Sequence, residues 1–298
     1  MTTEIRIDAL LPAEMATRAE YVGVRKAETP PLKIFGLSVL AGAFIALGAI
    51  FATTVLAGGI TIKDPAGATV LTTALPYGIN RLLAGLVFCL GLILVVVGGA
   101  ELFTGNNLIV MAWANRKVTS KALLSNWVIV YIGNFVGSIG TAALIFLSKQ
   151  YMFGSGSMGL TALNIAKAKV ELDFVQAIVL GVLCNALVCL AVWMTYSARS
   201  TIDKIFAIIF PISAFVAAGF EHSIANMYFI PIGLMIKDFA GDDFWALIGK
   251  TPADYSMVTW SAFLWKNLLP VTIGNIIGGA VLVAAVYWLI FLRPAKGK

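Results

Sequence analysis

The chain is poor in charge, poorer in histidine and nearly without cysteine. Only 12% of its residues are Asp, Glu, Lys or Arg, about half the usual share of about 25% in soluble domains. Against that, 60% are hydrophobic and the mean hydropathy is +0.92, which excludes an ordinary soluble enzyme. A single histidine, His222, excludes the paired pore histidines of an ammonium channel. The three cysteines, Cys89, Cys184 and Cys189, lie in apolar runs without ligand spacing and read as small buried hydrophobes. No metal or cofactor is implied. No Asn-Pro-Ala motif is present, which argues against a water or glycerol channel. The first 33 residues lack the apolar core and small-residue cleavage site of a signal peptide. The formal net charge of +6 reads as loop charge on a membrane protein rather than as a nucleic-acid surface.

What the chain does have is apolar runs long enough to cross a bilayer, which takes about 20 residues. Six are expected: about 34–56; 79–100, interrupted around 101–107 and resuming over 108–114; 122–147; 174–196; from 205, interrupted around 219–223 and resuming over 224–236; and 268–292. Residues 1–33 are then an N-terminal tail, in which the segment Asp8-Ala-Leu-Leu-Pro-Ala-Glu-Met-Ala16 starts a short amphipathic helix, 34–293 the membrane domain and 294–298 a C-terminal tail. With both ends inside, the inner segments hold thirteen of the 21 Lys and Arg residues and the outer loops eight. That bias puts both termini in the cytoplasm, and a cell inner membrane is expected.

The chain also repeats itself. Phe35-x6-Gly42 matches Phe174-x6-Gly181, Gly99-Ala-Glu101-x4-Asn106 matches Gly219-Phe-Glu221-x4-Asn226, and Gly133-Asn134-x2-Gly137 matches Gly274-Asn275-x2-Gly278, in the same order. Each half, about 34–150 and 173–293, has three spans, so the halves lie in opposite orientations: an inverted repeat. The fold class is therefore an all-α membrane protein with six transmembrane helices in a 3+3 inverted repeat and two broken helices.

The two breaks are the informative places. A helix does not open in lipid, where free backbone groups cost several kcal/mol each, unless the backbone lines a cavity. Breaks at equivalent points of two repeats mark a binding site near the midplane, where each resumed half-helix offers N–H groups to an anion. In the first break Thr104 can donate through its hydroxyl, or the segment is an ordinary turn at one surface. In the second stands His222, an intramembrane ionisable group able to hold or release a proton, or else a helix–helix hydrogen bond. Glu101 and Glu221 are equivalent and read as structural, accepting backbone N–H bonds that pin the breaks, with Asn106 and Asn226 beside them. Asn134, Asn185 and Asn275 read either as interhelical glue or as pore donors. From the residues alone, Phe88, Leu92, Leu102, Val188 and Phe215 read as packing rather than constrictions, and Lys169 as a solvated loop charge rather than an anion attractor.

Phe220-Glu-His-Ser-Ile-Ala-Asn-Met227 followed by Ile230-Pro-Ile-Gly233, with Glu101-Leu-Phe-Thr-Gly-Asn106, Pro270-Val-Thr-Ile-Gly-Asn-Ile-Ile-Gly-Gly279 and Asn185-x2-Val188-Cys-Leu-Ala-Val-Trp193, resembles the formate–nitrite transporter family along nearly the whole chain. The resemblance implies an aquaporin-like protomer, a homopentamer with one pore per subunit, and no enzymatic activity. It implies that Thr104 lies on the loop breaking the second segment and that His222 lies at the pore centre. It also implies that Lys169 draws anions in, that Asn185 and Asn275 line the pore, and that Phe88, Leu92, Leu102, Val188 and Phe215 are constrictions. The expected function is two-way passage of formate or formic acid with protonation at His222. Nitrite, hydrosulfide or a short monocarboxylate is the alternative within the class. A membrane-embedded enzyme is the alternative outside it, which the lack of a group orienting His222–Ser223 disfavours.

Overall fold

The computed structural model describes residues 9–63, 69–73 and 75–293. Twelve helical elements carry the fold: α1 (Pro12–Glu28), α2 (Pro31–Leu56), α3 (Tyr77–Gly98), α4 (Phe103–Asn106), α5 (Val110–Ala114), α6 (Ser120–Leu147), α7 (Ser157–Val170), α8 (Phe174–Ser197), α9 (Thr201–Ala218), α10 (Ser223–Phe239), α11 (Asp242–Ile248) and α12 (Ala262–Leu292). Six of them, α2, α3, α6, α8, α9 and α12, are long and apolar enough to cross a membrane. Between α2 and α3 an antiparallel hairpin pairs β1 (Ile60–Lys63) with β2 (Thr69–Thr73), an element the hydropathy pattern does not announce. Residues 1–8 of the expected N-terminal tail and the expected C-terminal tail, 294–298, lie outside the described residues.

Local chemistry sets the ends of these helices. Proline opens α1 and α2 at the first helical position, where its missing N–H costs nothing. Ser200 caps α9 by accepting from the Asp203 N–H at 3.1 Å, and Thr119 caps α6 through the Ala122 N–H. Both breaks begin with a glycine in the left-handed region, Gly99 at φ 74° and Gly219 at φ 76°, a conformation other residues enter only at a cost.

The first break therefore spans 99–102, earlier and shorter than the expected 101–107. The glycine ends the helix, not the charge at Glu101. Helix resumes at Phe103, because the Phe103 N–H finds an acceptor in the Asn134 side chain at 2.9 Å. Thr104 consequently sits in the first turn of α4 rather than on the loop. The second break, 219–222, falls where expected. The last span begins at Ala262 rather than 268: Asn267 is tolerated within it because its side chain is satisfied by the Lys169 carbonyl and Glu221.

The long helices pack α2 against α6 and α3, and α8 against α12 and α9. Contact is close where glycine removes the side chain. A Cβ on Gly137 would strike the Val39 carbonyl of α2, and one on Gly278 would strike the Val182 carbonyl of α8. These are equivalent crossings in the two halves, consistent with the 3+3 repeat, and small residues at such crossings are how membrane helices gain packing energy without a water-driven term. The outward row Leu124, Val128, Ile132 and Val136 along α6 is exposed, as a lipid- or subunit-facing stripe should be.

Candidate functional site

The two breaks meet. Thr104 Oγ1 and His222 Nε2 are 3.0 Å apart, and the two residues are 0% and 3% exposed. His222 is the residue immediately before α10, and its Nδ1 accepts the Ala225 N–H at 3.1 Å. A backbone N–H can only donate, so Nδ1 carries no proton and the neutral ring holds its proton on Nε2. That proton goes to Thr104 Oγ1, which leaves the Thr104 hydroxyl proton for another acceptor. The Phe215 ring stacks on the imidazole at 5.8 Å between centroids, and Phe88 meets Phe215 edge-on at 5.7 Å.

A cavity lies on each side of this pair. One, of about 310 Å³, is lined by Lys169, Glu221, His222, Phe88, Phe215 and Arg81 among others. The other, of about 290 Å³, is lined by Lys26, Glu101, Leu92, Leu102, Gly105 and Lys204 among others. The two share no lining residue. Phe88, Phe215 and His222 line the first, Leu92, Leu102 and Gly105, the residue after Thr104, line the second, and the Thr104–His222 contact joins the two sides. Val188 is buried but lines neither.

Behind the pair, two polar clusters repeat most of their bonds, the Lys26–Asn106 bond having no counterpart in the second half. In the first half Lys26 Nζ bonds Glu101 Oε2 and Asn106 Oδ1, both at 2.8 Å. The Asn106 amide donates to Glu101 and Asn126. In the second, Lys169 Nζ bonds Glu221 Oε1 at 2.7 Å, and the Asn226 amide donates to Glu221 and Asn267. Asn134 donates to the Ser38 and Glu101 carbonyls while accepting from the Phe103 N–H. Asn275 does the same with the Gly181 and Glu221 carbonyls and the Ser223 N–H.

Three expectations change on this geometry. Glu101 and Glu221 do not accept backbone N–H bonds; their partners are lysine and asparagine side chains, because the break N–H groups are already taken. The N–H groups of Glu101 and Glu221 go to the Leu37 and Leu180 carbonyls, and those of Phe103 and Ser223 to Asn134 and Asn275. Asn275 has both amide protons spent on carbonyls, so it offers no donor to a pore. Asn185 gives one amide proton to the Asn275 carbonyl at 2.6 Å, and neither residue lines a cavity.

Sequence reasoning missed Lys26, Asn126 and Asn267. Asn126 and Asn267 each stand eight residues before the repeated asparagine, Asn134 or Asn275, so the register of the repeat held the signal. Lys26 comes from α1, in the segment read as a tail. That helix precedes α2 as α7, the source of Lys169, precedes α8.

Comparison with known proteins agrees with this geometry. The sequence pattern of the formate/nitrite transporter family matches residues 13–289. The chain is 47% identical over 293 residues to the formate channel FocA of Escherichia coli K12, covering 98% of each chain. It is 43% identical to FocA of Haemophilus influenzae, covering 92% of each. Among solved structures, a pentameric formate channel with formate bound superposes with a TM-score of 0.79 at 45% identity, covering 88% of this chain and 98% of that one. An FNT family ion channel superposes with a TM-score of 0.73 at 26% identity, covering 93% of this chain and 98% of that one. With six membrane-spanning helices, two facing breaks and full-length similarity to channels rather than to enzymes, this integral membrane chain belongs to the formate/nitrite transporter family.

Proposed function

We propose that this chain is a formate channel, a homopentamer in the cell inner membrane with both termini in the cytoplasm. Formate crosses each subunit between the two cavities, past Thr104 and His222. The observation that carries the reading is the Thr104–His222 contact, the polar link between two cavities that share no wall. Formate is favoured over nitrite by the relatives themselves, which are formate channels over nearly their full length. The homopentamer follows the pentameric relative, and the orientation follows the excess of Lys and Arg in the inner segments.

A bare anion is costly in the apolar slit made by Phe88 and Phe215 or by Leu92 and Leu102. The free proton of the Thr104 hydroxyl is the donor that meets formate between them. Charge can also be removed by proton transfer: imidazolium gives its Nε2 proton to formate, leaving neutral imidazole and formic acid. The doubly protonated ring bears a proton on Nδ1, so it must release the Ala225 N–H before it can serve. If the proton returns to His222 on the far side, an ion has moved; if it leaves with the substrate, the acid has moved.

The test is uptake of labelled formate by proteoliposomes across a pH series, with nitrite as competitor. His222→Phe removes both the imidazole and the helix cap, whereas His222→Asn keeps a capping oxygen. The expected result is passage in His222→Asn without the pH dependence of the native protein, and a block of proton-coupled uptake in His222→Phe. Native pH dependence in both variants would remove His222 from proton handling.

A further inference from the structure

The charge on Lys169 is already spent. Its ammonium lies 2.7 Å from Glu221, with the two side chains 15% and 6% exposed, and 5.5 Å from the centre of the Phe229 ring. An approaching anion meets a neutral pair, whose field falls off faster than that of a single charge. The same cavity holds a second cation, Arg81, from the start of α3. Its Nε donates to the Ala217 carbonyl at 3.2 Å and its Nη2 to the Val216 carbonyl. Among the described residues no carboxylate lies within ion-pair distance of it. Two of its five N–H groups serve carbonyls, and carbonyls do not cancel a unit charge. The guanidinium also covers the C-terminal end of α9, whose partial negative charge would otherwise face an incoming anion.

The other side repeats this division of labour. Lys26 is neutralised by Glu101, while Arg18 from α1 and Lys204, near the start of α9 as Arg81 is near the start of α3, line that cavity with no carboxylate partner among the described residues.

We propose that Arg81, rather than the Lys169–Glu221 pair, supplies the net positive charge that gathers formate in this cavity and sets the half-saturating concentration for entry from its side. The inference rests on the formate reading above. Its chemistry is long-range attraction of a small monovalent anion into a low-dielectric vestibule, where focused charge is worth about tenfold or more in capture.

The experiment is initial formate uptake by proteoliposomes against formate concentration, at low ionic strength and again with an impermeant salt, for the native protein, Arg81→Gln and Arg81→Lys. Arg81→Gln is expected to raise half-saturation about tenfold at low salt and to flatten the salt dependence. Arg81→Lys keeps the charge and is expected to stay near the native value with its salt dependence intact. Native half-saturation and salt response in Arg81→Gln would overturn the inference. So would equal loss of maximal flux in both variants at unchanged half-saturation, which would make Arg81 a helix cap alone. A native protein that moves no formate would remove the parent reading instead, and this inference with it.

Discussion

The two breaks share a scaffold but not a chemistry. Glu101 and Glu221, Asn106 and Asn226, Asn126 and Asn267, Asn134 and Asn275 make matching bonds. At the residue preceding the resumed half-helix the halves part. Leu102 stands there in the first, with no side-chain cap, and His222 in the second, capping the Ala225 N–H. Thr104 has Ile224 as its counterpart, two residues after the cap position. What holds the breaks open is therefore duplicated, and what meets between them is not: a leucine and a threonine on one side stand against a histidine on the other. Groups that satisfy backbone at a bend have few workable solutions.

The largest test of this comparison is to unbalance the two ion pairs. Lys169→Met strands the buried Glu221 carboxylate and is expected to cost about 3–5 kcal/mol in unfolding of the purified protein. Lys26→Met should cost less, since Lys26 and Glu101 are 25% and 12% exposed against 15% and 6% for Lys169 and Glu221. Adding Glu221→Gln to Lys169→Met should restore part of the loss. Equal costs for the two lysines would show that burial does not rank them.

Next come the paired asparagines. Asn134→Leu and Asn275→Leu each orphan a half-helix N–H and two carbonyls, at about 1–3 kcal/mol for a stranded group. The matching bonds call for matching losses in thermal unfolding, and a one-sided loss would break the equivalence. Gly137→Ala and Gly278→Ala press a methyl group against the Val39 and Val182 carbonyls. Each should cost about 1–3 kcal/mol, as overpacking does, read as yield of folded protein and melting temperature.

The smallest effect is expected outside the spans. Hydrogen bonds from the Thr251 N–H and hydroxyl hold the Asp254 carboxyl below its ordinary value of 3.8. A lowered acid contributes stability above its unfolded range and loses it only as pH falls through the lowered value. Asp254→Asn should therefore lower melting by the same small amount at every pH from about 5 to 8, where Asp254 is ionised folded or unfolded, and leave formate flux unchanged. A shifted flux profile in that range would tie this loop to the pathway.

Much of this is legible in the sequence. Hydropathy gave six spans, and the Gly-x-Glu and Gly-Asn-x2-Gly pairs located both breaks and their asparagine support. Thr104 and His222 stood out as polar groups inside apolar runs. The rest was hidden for physical reasons. The helix end at Gly99 is a backbone event, while the eye goes to the charge two residues on. Asn275 looks like a pore donor because an amide in lipid needs partners, and sequence does not reveal that three backbone groups supply them. Lys26 lies in a helix with ordinary amphipathic content, 75 residues from the carboxylate it meets. The hairpin of β1 and β2 lies in the connection between two spans, where hydropathy carries no signal of strand pairing.

The docking of α1 gives the start of the chain a structural duty. Glu20 clasps Lys117 at 2.5 Å and Asn115 beyond α5, so the helix is fastened at two levels: at its middle to that turn and near its end to the first break. During synthesis Lys26 leaves the ribosome well ahead of Glu101 and has to wait for it. Proteolytic trimming past that lysine, or a bulky fusion that lifts α1 away, would leave the Glu101 carboxylate without its cation at the first break. Affinity handles for purification accordingly belong at the other terminus.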